Sequence, residues 1–156
     1  MQAVRHGICA VLAASALAPA ASARVGAGYS TGFSWPVDGV LTSPFGPRTE
    51  GFHPGIDIGS LRDLMVRAAI GGRVVAVGES PGYDGYGNVV VVEMSGGFTT
   101  IYAHLARPSV LVGAEVRTGQ PIGVAGCTGL CTGTHLHFEL RDGSGTPLDP
   151  LGLFDG

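Results

Sequence analysis

The chain has 156 residues, 45% of them apolar and 13% charged, which is one domain's length with enough apolar material for a core. Its formal net charge of −3, from nine arginines, no lysine and twelve acids, excludes the basic stripe on which nucleic-acid binding depends. The absence of lysine also excludes a biotinyl or lipoyl carrier, which loads its cofactor on a lysine side chain.

Residues 1–23 read as an export signal. Arg5 lies in a short polar start, residues 7–14 are apolar, and Ala21-Ser-Ala23 supplies the small residues a signal peptidase accepts. The apolar run is shorter than the roughly 20 residues a membrane-spanning helix needs. Cleavage after Ala23 would leave eight arginines against twelve acids, a charge of −4, with no stable membrane insertion. An uncleaved anchor is the competing reading. The expected location is the periplasm or the extracellular side of the cell wall. Residues 24–34 are small and read as a flexible linker, and residues 35–156 as one domain.

Within that domain, short β-branched runs alternate with glycine-rich turns, a pattern of strands rather than helices. The clearest strands fall at 72–77, 88–94, 98–105 and 134–140, with turns at 82–87 and 95–97. Only residues 61–65 suggest a brief helix. The expected architecture is all-β, an antiparallel folded sheet or sandwich. In an oxidising compartment, Cys127 and Cys131 are expected to form a bridge across their small loop, free thiols in a buried turn being the alternative.

Of the five histidines, His6 falls in the export signal. His53-Pro-Gly-Ile-Asp57 sets a histidine and an aspartate four apart across a proline and a glycine, so a turn rather than a helix brings them together. His135-Leu-His137 lies in a strand, where alternation aims both imidazoles at one face and leaves Leu136, Phe138 and Leu140 for the core. His104 ends another strand and, on regular alternation, shares a face with Thr100 and Tyr102. Each feature alone has an ordinary structural explanation. Together they supply the ligand types of a catalytic zinc site with an open position, although iron or another first-row ion suits the same donors.

These residues resemble the signature of the lysostaphin/LytM-type peptidoglycan endopeptidases, carried by His53-x-x-x-Asp57, Tyr102-Ala-His104 and His135-Leu-His137. The accompanying segments Ser43-Pro-Phe-Gly-Pro-Arg48, Tyr86-Gly-Asn88, Gly119-Gln-Pro-Ile-Gly123 and Asp149-Pro-Leu151 are similar too, in the family's order, from about Trp35 to Phe154. The resemblance implies a fold of the duplicated-hybrid-motif kind. It implies one Zn2+ per chain held by His53, Asp57 and His137, with His104 and His135 as catalytic residues that do not bind the metal. It also implies a monomer acting on the stem peptides or bridges of peptidoglycan. The two cysteines depart from the pattern, occupying a loop usually filled by Ser, Thr and Gly.

On that reading a zinc-activated water attacks the scissile carbonyl, one unligated histidine takes its proton, and the other stabilises the oxyanion; the two roles are interchangeable. Tyr102 either orients His104 or only packs. Glu139 shares the face of His137 and is expected to be a solvated strand residue, with a hydrogen bond to the ligand as the alternative. The competing function is a non-catalytic zinc-binding regulator of another cell-wall hydrolase. The sequence leaves open whether D-alanyl–diaminopimelate cross-links or glycine-rich bridges are the target.

Overall fold

The computed structural model describes residues 32–49 and 51–154, so the expected export signal and most of the linker lie outside the described residues. Twelve strands follow in chain order: β1 Val40–Ser43, β2 Gly46–Arg48, β3 Gly51–His53, β4 Ile56–Gly59, β5 Met65–Arg67, β6 Gly72–Gly78, β7 Asn88–Glu93, β8 Thr99–Pro108, β9 Glu115–Val116, β10 Pro121–Ala125, β11 Leu136–Arg141 and β12 Pro147–Leu148. Two single-turn 3-10 helices, Ser95–Gly97 and Pro150–Leu153, are the helical content of the described residues. None is long and apolar enough to cross a membrane.

The main sheet is antiparallel in the order β1-β4-β11-β8-β7-β6-β9, with β10 joining β8 to β5, β12 beside β11, and β2-β3 a separate hairpin. This is the expected all-β folded sheet. Its long strand β8 pairs with β7 and β11 along its first half and then with β10, which folds the sheet over on itself.

Alternation gives the central strands two distinct faces. One face packs Ile56, Val90, Val92, Tyr102, Leu136 and Phe138 into the main core. Each such side chain contributes on the order of 1.5–3 kcal/mol by leaving water. The opposite face carries a smaller cluster of Val89, Val91, Ile101 and Ala103, with Tyr83 and Tyr86 against it. His137 and Glu139 lie on that second side, opposite Ala103 and Ile101 in the β11–β8 register. The small cluster is therefore the floor of the histidine site.

Two local expectations are corrected. Residues 61–65 form no helix: the Asp63 carboxylate accepts the Met65 N–H at 3.1 Å and Arg62 N–H donates to Asp38 O at 2.9 Å, which bends the chain into β5. Ser34 N–H donates to Ala69 O at 2.8 Å, and Phe33 and Trp35 meet Phe154 edge to face, so the folded part takes in the last residues read as linker.

Candidate metal centre

Two strands place the first two donors opposite each other. In the β4–β11 pair Asp57 stands directly across from His137, and the His137 Nδ1 lies 2.8 Å from Asp57 Oδ1. The turn after β3 delivers the third: His53 Nε2 is 3.2 Å from Asp57 Oδ1 and 3.1 Å from His137 Nδ1. Gly55 makes this turn possible, because a Cβ there would run into the Phe138 carbonyl and lie 2.8 Å from Glu139 Cγ. His53, Asp57 and His137, the set that the family resemblance implied, thus form a group whose ligand atoms all lie within 4.8 Å of one another.

Hydrogen bonds on the far side of each ring decide which nitrogen faces the group. His53 Nδ1 is 2.7 Å from the Pro44 carbonyl, which can only accept, so Nδ1 carries the hydrogen and Nε2 presents a lone pair. His137 Nε2 is 2.9 Å from Glu139 Oε1, so its hydrogen is on Nε2 and Nδ1 presents the lone pair. Two imidazole lone pairs and a carboxylate oxygen then converge with no donor between them. Such a set needs positive charge at its centre, supplied either by a proton on one ring or by a metal ion, and a nitrogen, nitrogen and oxygen set suits a divalent first-row ion.

The charges agree. Burial alone would raise the Asp57 carboxyl, yet hydrogen bonding and charge from His137, with His53 and Arg48, hold it well below the usual carboxylate range. Arg48 makes a 3.0 Å ion pair with Asp57 Oδ2 and also donates to Ser43 Oγ, leaving Oδ1 for the cation. Burial would likewise lower His137, but its bonds to Asp57 and Glu139 outweigh that and raise it. The surroundings therefore favour positive charge between these residues.

The other two histidines stand beside the group. His135 Nδ1 is 2.7 Å from the Gly133 carbonyl, so its Nε2 is the free nitrogen, 3.8 Å from Asp57 Oδ1. His104 Nδ1 is 2.8 Å from the Thr128 carbonyl, which frees its Nε2 in the same way. The His104 ring lies 4.8 Å from that of His135 and 5.9 Å from that of His137, centre to centre. Burial pushes the His104 imidazole below its ordinary value.

His104 reaches this side by a device that alternation does not predict. Its φ is +58°, in the left-handed region that residues other than glycine seldom adopt. The registers of β8 with β7 and with β10 both shift here. Tyr102 and Leu105 consequently both face the main core, and His104 turns to the opposite side, towards His137. The expected sharing of a face by His104 and Tyr102 is thus overturned by a bulge. Tyr102 is a packing residue: it is fully buried, its hydroxyl accepts the Ala69 N–H at 2.7 Å, and burial pushes it up to about 12.

Glu139 is not the solvated strand residue expected. It has 0% exposure, and besides the His137 N–H it takes one bond from Arg141 Nε at 2.7 Å and another from the Tyr86 hydroxyl. Burial alone would raise its carboxyl, but the bonds from His137, Arg141 and Tyr86 hold it below its ordinary value, so it stays charged. Tyr86 also sets its ring edge-on to His137 at 5.4 Å, and Arg141 Nη2 donates to its hydroxyl at 3.2 Å. The sequence did contain a signal for Arg141: His137, Glu139 and Arg141 alternate along one face of β11. It contained none for Tyr86, which arrives from a distant turn. Cys127 and Cys131 are joined as a disulfide, with Cα atoms 5.3 Å apart.

A family model described as Peptidase family M23 matches residues 51–150. The chain is 39% identical over 119 residues to the DD-carboxypeptidase/endopeptidase Mpg of Neisseria meningitidis serogroup B, covering 72% of this chain and 26% of that protein. It is 36% identical over 117 residues to the murein hydrolase activator NlpD of Escherichia coli K12, covering 75% of this chain and 30% of that one. The chain thus spans about a quarter to a third of the length of these relatives. Among solved structures it resembles the catalytic domain of the antimicrobial peptidase lysostaphin from Staphylococcus simulans, with a TM-score of 0.68 and 31% identity over 76% of this chain and 93% of that one.

Proposed function

We propose that this chain, which belongs to peptidase family M23, is an exported, monomeric zinc endopeptidase that hydrolyses the peptide cross-links or bridges of bacterial peptidoglycan. The observation that supports the reading is the convergence of His53 Nε2, Asp57 Oδ1 and His137 Nδ1 within 3.2 Å of one another. Those three residues would hold one zinc ion, which when bound supplies Lewis acidity towards a water and the scissile carbonyl.

The remaining steps belong to side chains of this chain. His135 Nε2, with its Nδ1 hydrogen engaged by Gly133, takes the proton of the attacking water. That proton passes on to His104 Nε2, whose ring lies 4.8 Å from that of His135, and His104 shares it with the carbonyl oxygen as charge develops there and then gives it to the departing amine. Because burial favours the neutral His104, the proton it accepts is readily given up. The exchange of these two roles is compatible with the same geometry. Glu139 keeps the His137 hydrogen on Nε2, and with it the lone pair on Nδ1.

A second reading has an observation in its favour: one of the relatives is named a murein hydrolase activator. On that reading the domain binds zinc but docks on another hydrolase instead of cutting. The experiment that separates them is mass spectrometry of fragments released from defined muropeptides by the zinc-loaded protein. Cleavage at a peptide bond is expected, and the fragment masses identify which. Intact muropeptides after incubation with fully zinc-loaded protein would defeat the enzyme reading in favour of the activator.

A further inference from the structure

The loop closed by Cys127 and Cys131 carries more than a staple, because both carbonyls that orient the unligated histidines flank it. Thr128 O holds His104, and Gly133 O holds His135. The two anchors are secured very differently. Thr128 is bound on all sides: its hydroxyl donates to Leu105 O at 2.8 Å and accepts the Asn88 N–H at 2.9 Å. Its neighbour Leu130 donates to Gly85 O at 2.8 Å. Gly133 sits instead in the exposed stretch 132–134. Among the described residues, the polar contacts of 131–134 are local: Gly133 O lies 2.7 Å from His135 Nδ1, and Cys131 Sγ lies 2.9 Å from Gly133 O and 3.7 Å from His135 Nδ1. On its near side that stretch is tied to the framework by the Leu130 N–H bond to Gly85 O and, through its own first residue, by the bond from Cys131 to Cys127, next to the secured Thr128.

We propose that the Cys127–Cys131 disulfide is a positioning device for His135, so that turnover depends on the oxidised pair whereas metal binding and His104 do not. The inference rests on the reading of His135 as a proton acceptor. His53, Asp57 and His137 draw their support from Pro44, Arg48 and Glu139, none of which belongs to this loop. Without the bridge, the Gly133 carbonyl has the freedom of a short exposed loop. The His135 ring then loses the partner that fixes its tautomer and its aim. Closing the bridge takes two thiol–disulfide exchanges with an external disulfide. The Cys127 thiolate displaces one thiolate of that oxidant, and the Cys131 thiolate displaces the second from the mixed disulfide. Two electrons and two protons pass to the oxidant, which leaves as two thiols. A chain that has not met such an oxidant is thereby a zinc-loaded but slow hydrolase.

The test compares the oxidised protein, the protein reduced with a phosphine, and the Cys127→Ser/Cys131→Ser double variant. Each is followed by bound zinc, turnover on muropeptides, and imidazole nitrogen NMR of the histidine tautomers. The expected result is unchanged zinc, a retained His104 Nδ1–H, a His135 signal averaged between tautomers, and kcat lower by tenfold or more at similar KM. Restoring the bridge in the reduced protein with a small-molecule disulfide should restore both the His135 signal and kcat. A single Nδ1–H tautomer at His135 with unchanged turnover in the open forms would overturn the proposal. So would loss of zinc in step with activity, which would make the loop a support of the metal group instead. Should even the oxidised protein fail to cut, the hydrolase reading falls, while the NMR comparison still decides whether the disulfide holds His135.

Discussion

Replacing Glu139 by glutamine tests how far the metal group depends on one buried charge. The carboxylate accepts three donors: His137 Nε2–H at 2.9 Å, Arg141 Nε–H at 2.7 Å and the Tyr86 hydroxyl. An amide of the same shape has one oxygen and one NH2. If its oxygen faces His137 and Tyr86, its NH2 confronts the Arg141 donor. If it turns over, its NH2 confronts His137 Nε2–H and drives that hydrogen to Nδ1, the nitrogen aimed at Asp57 and His53. Either way one charge-assisted bond is lost, of a kind that contributes about 1.5–3 kcal/mol. Changes beside a ligand histidine typically weaken metal affinity 10–100-fold, which at about 1.4 kcal/mol per tenfold is the same scale. Glu139→Gln should therefore bind zinc 10–100-fold more weakly in a competition titration against a chromophoric chelator. Circular dichroism of the same samples checks that the fold is retained. A zinc affinity within twofold of the parent protein would show that His137 is held without Glu139, and the argument from its hydrogen bonds would fail.

Three further outcomes follow from the same geometry. Alanine at His53, Asp57 or His137 should each strip the protein of most of its zinc by elemental analysis, and a stoichiometric ion in His137→Ala would refute the ligand set. His104→Ala and His135→Ala should keep the ion and lose roughly 10²–10⁴-fold in kcat, the usual scale of an acid–base contribution; loss of metal from either would move that residue into the ligand set. Acid should act in two stages, because ligand histidines must be neutral and an accepting histidine must start neutral. Burial places His104 below its ordinary value, so it is uncharged at neutral pH and takes a proton only in acid. Turnover should fall first as His104 is protonated, and zinc should leave only at lower pH, where protons must displace a bound ion. One pH series measuring both would contradict this if the midpoints coincided.

The parts of the site that could be read from the sequence are those that depend on local geometry. The Pro54-Gly55 turn between His53 and Asp57, and the strand alternation of His135, His137 and Glu139, are consequences of neighbouring residues, and the structure brings these groups together as their spacing implied. What the sequence concealed depends on departures from regularity and on distant partners. The reading of His104 assumed an unbroken pleat, and a left-handed residue at +58° cancels one step of the alternation. Nothing in the neighbouring residues marks it, since no glycine occupies the position. Glu139 was misjudged because a glutamate in a strand is usually solvated. The groups that bury it productively include Tyr86, 53 residues away. Residues 61–65 lost their expected helix to the Asp63 side chain, which satisfies the Met65 N–H locally.

Of the four histidines of the described residues, His137 has a buried carboxylate behind it, whereas His53, His104 and His135 are each backed by a main-chain carbonyl. His53 and His137 are both nearly inaccessible, backed by a main-chain carbonyl and a buried carboxylate, on elements that pair with the main sheet or abut it. Such backing holds a lone pair at a fixed point, which is what a metal ligand requires. His104 and His135 are backed by the carbonyls of Thr128 and Gly133, neutral acceptors that fix a tautomer without adding a charge. A histidine held this way keeps its outward nitrogen free to gain and lose a proton within one turnover. Had a carboxylate stood behind either, the imidazolium would be stabilised and the proton would be harder to return to the departing amine. The carboxylate therefore singles out His137 alone, while His53 is set apart from His104 and His135 by its place in the converging group, its Nε2 3.2 Å from Asp57 Oδ1 and 3.1 Å from His137 Nδ1.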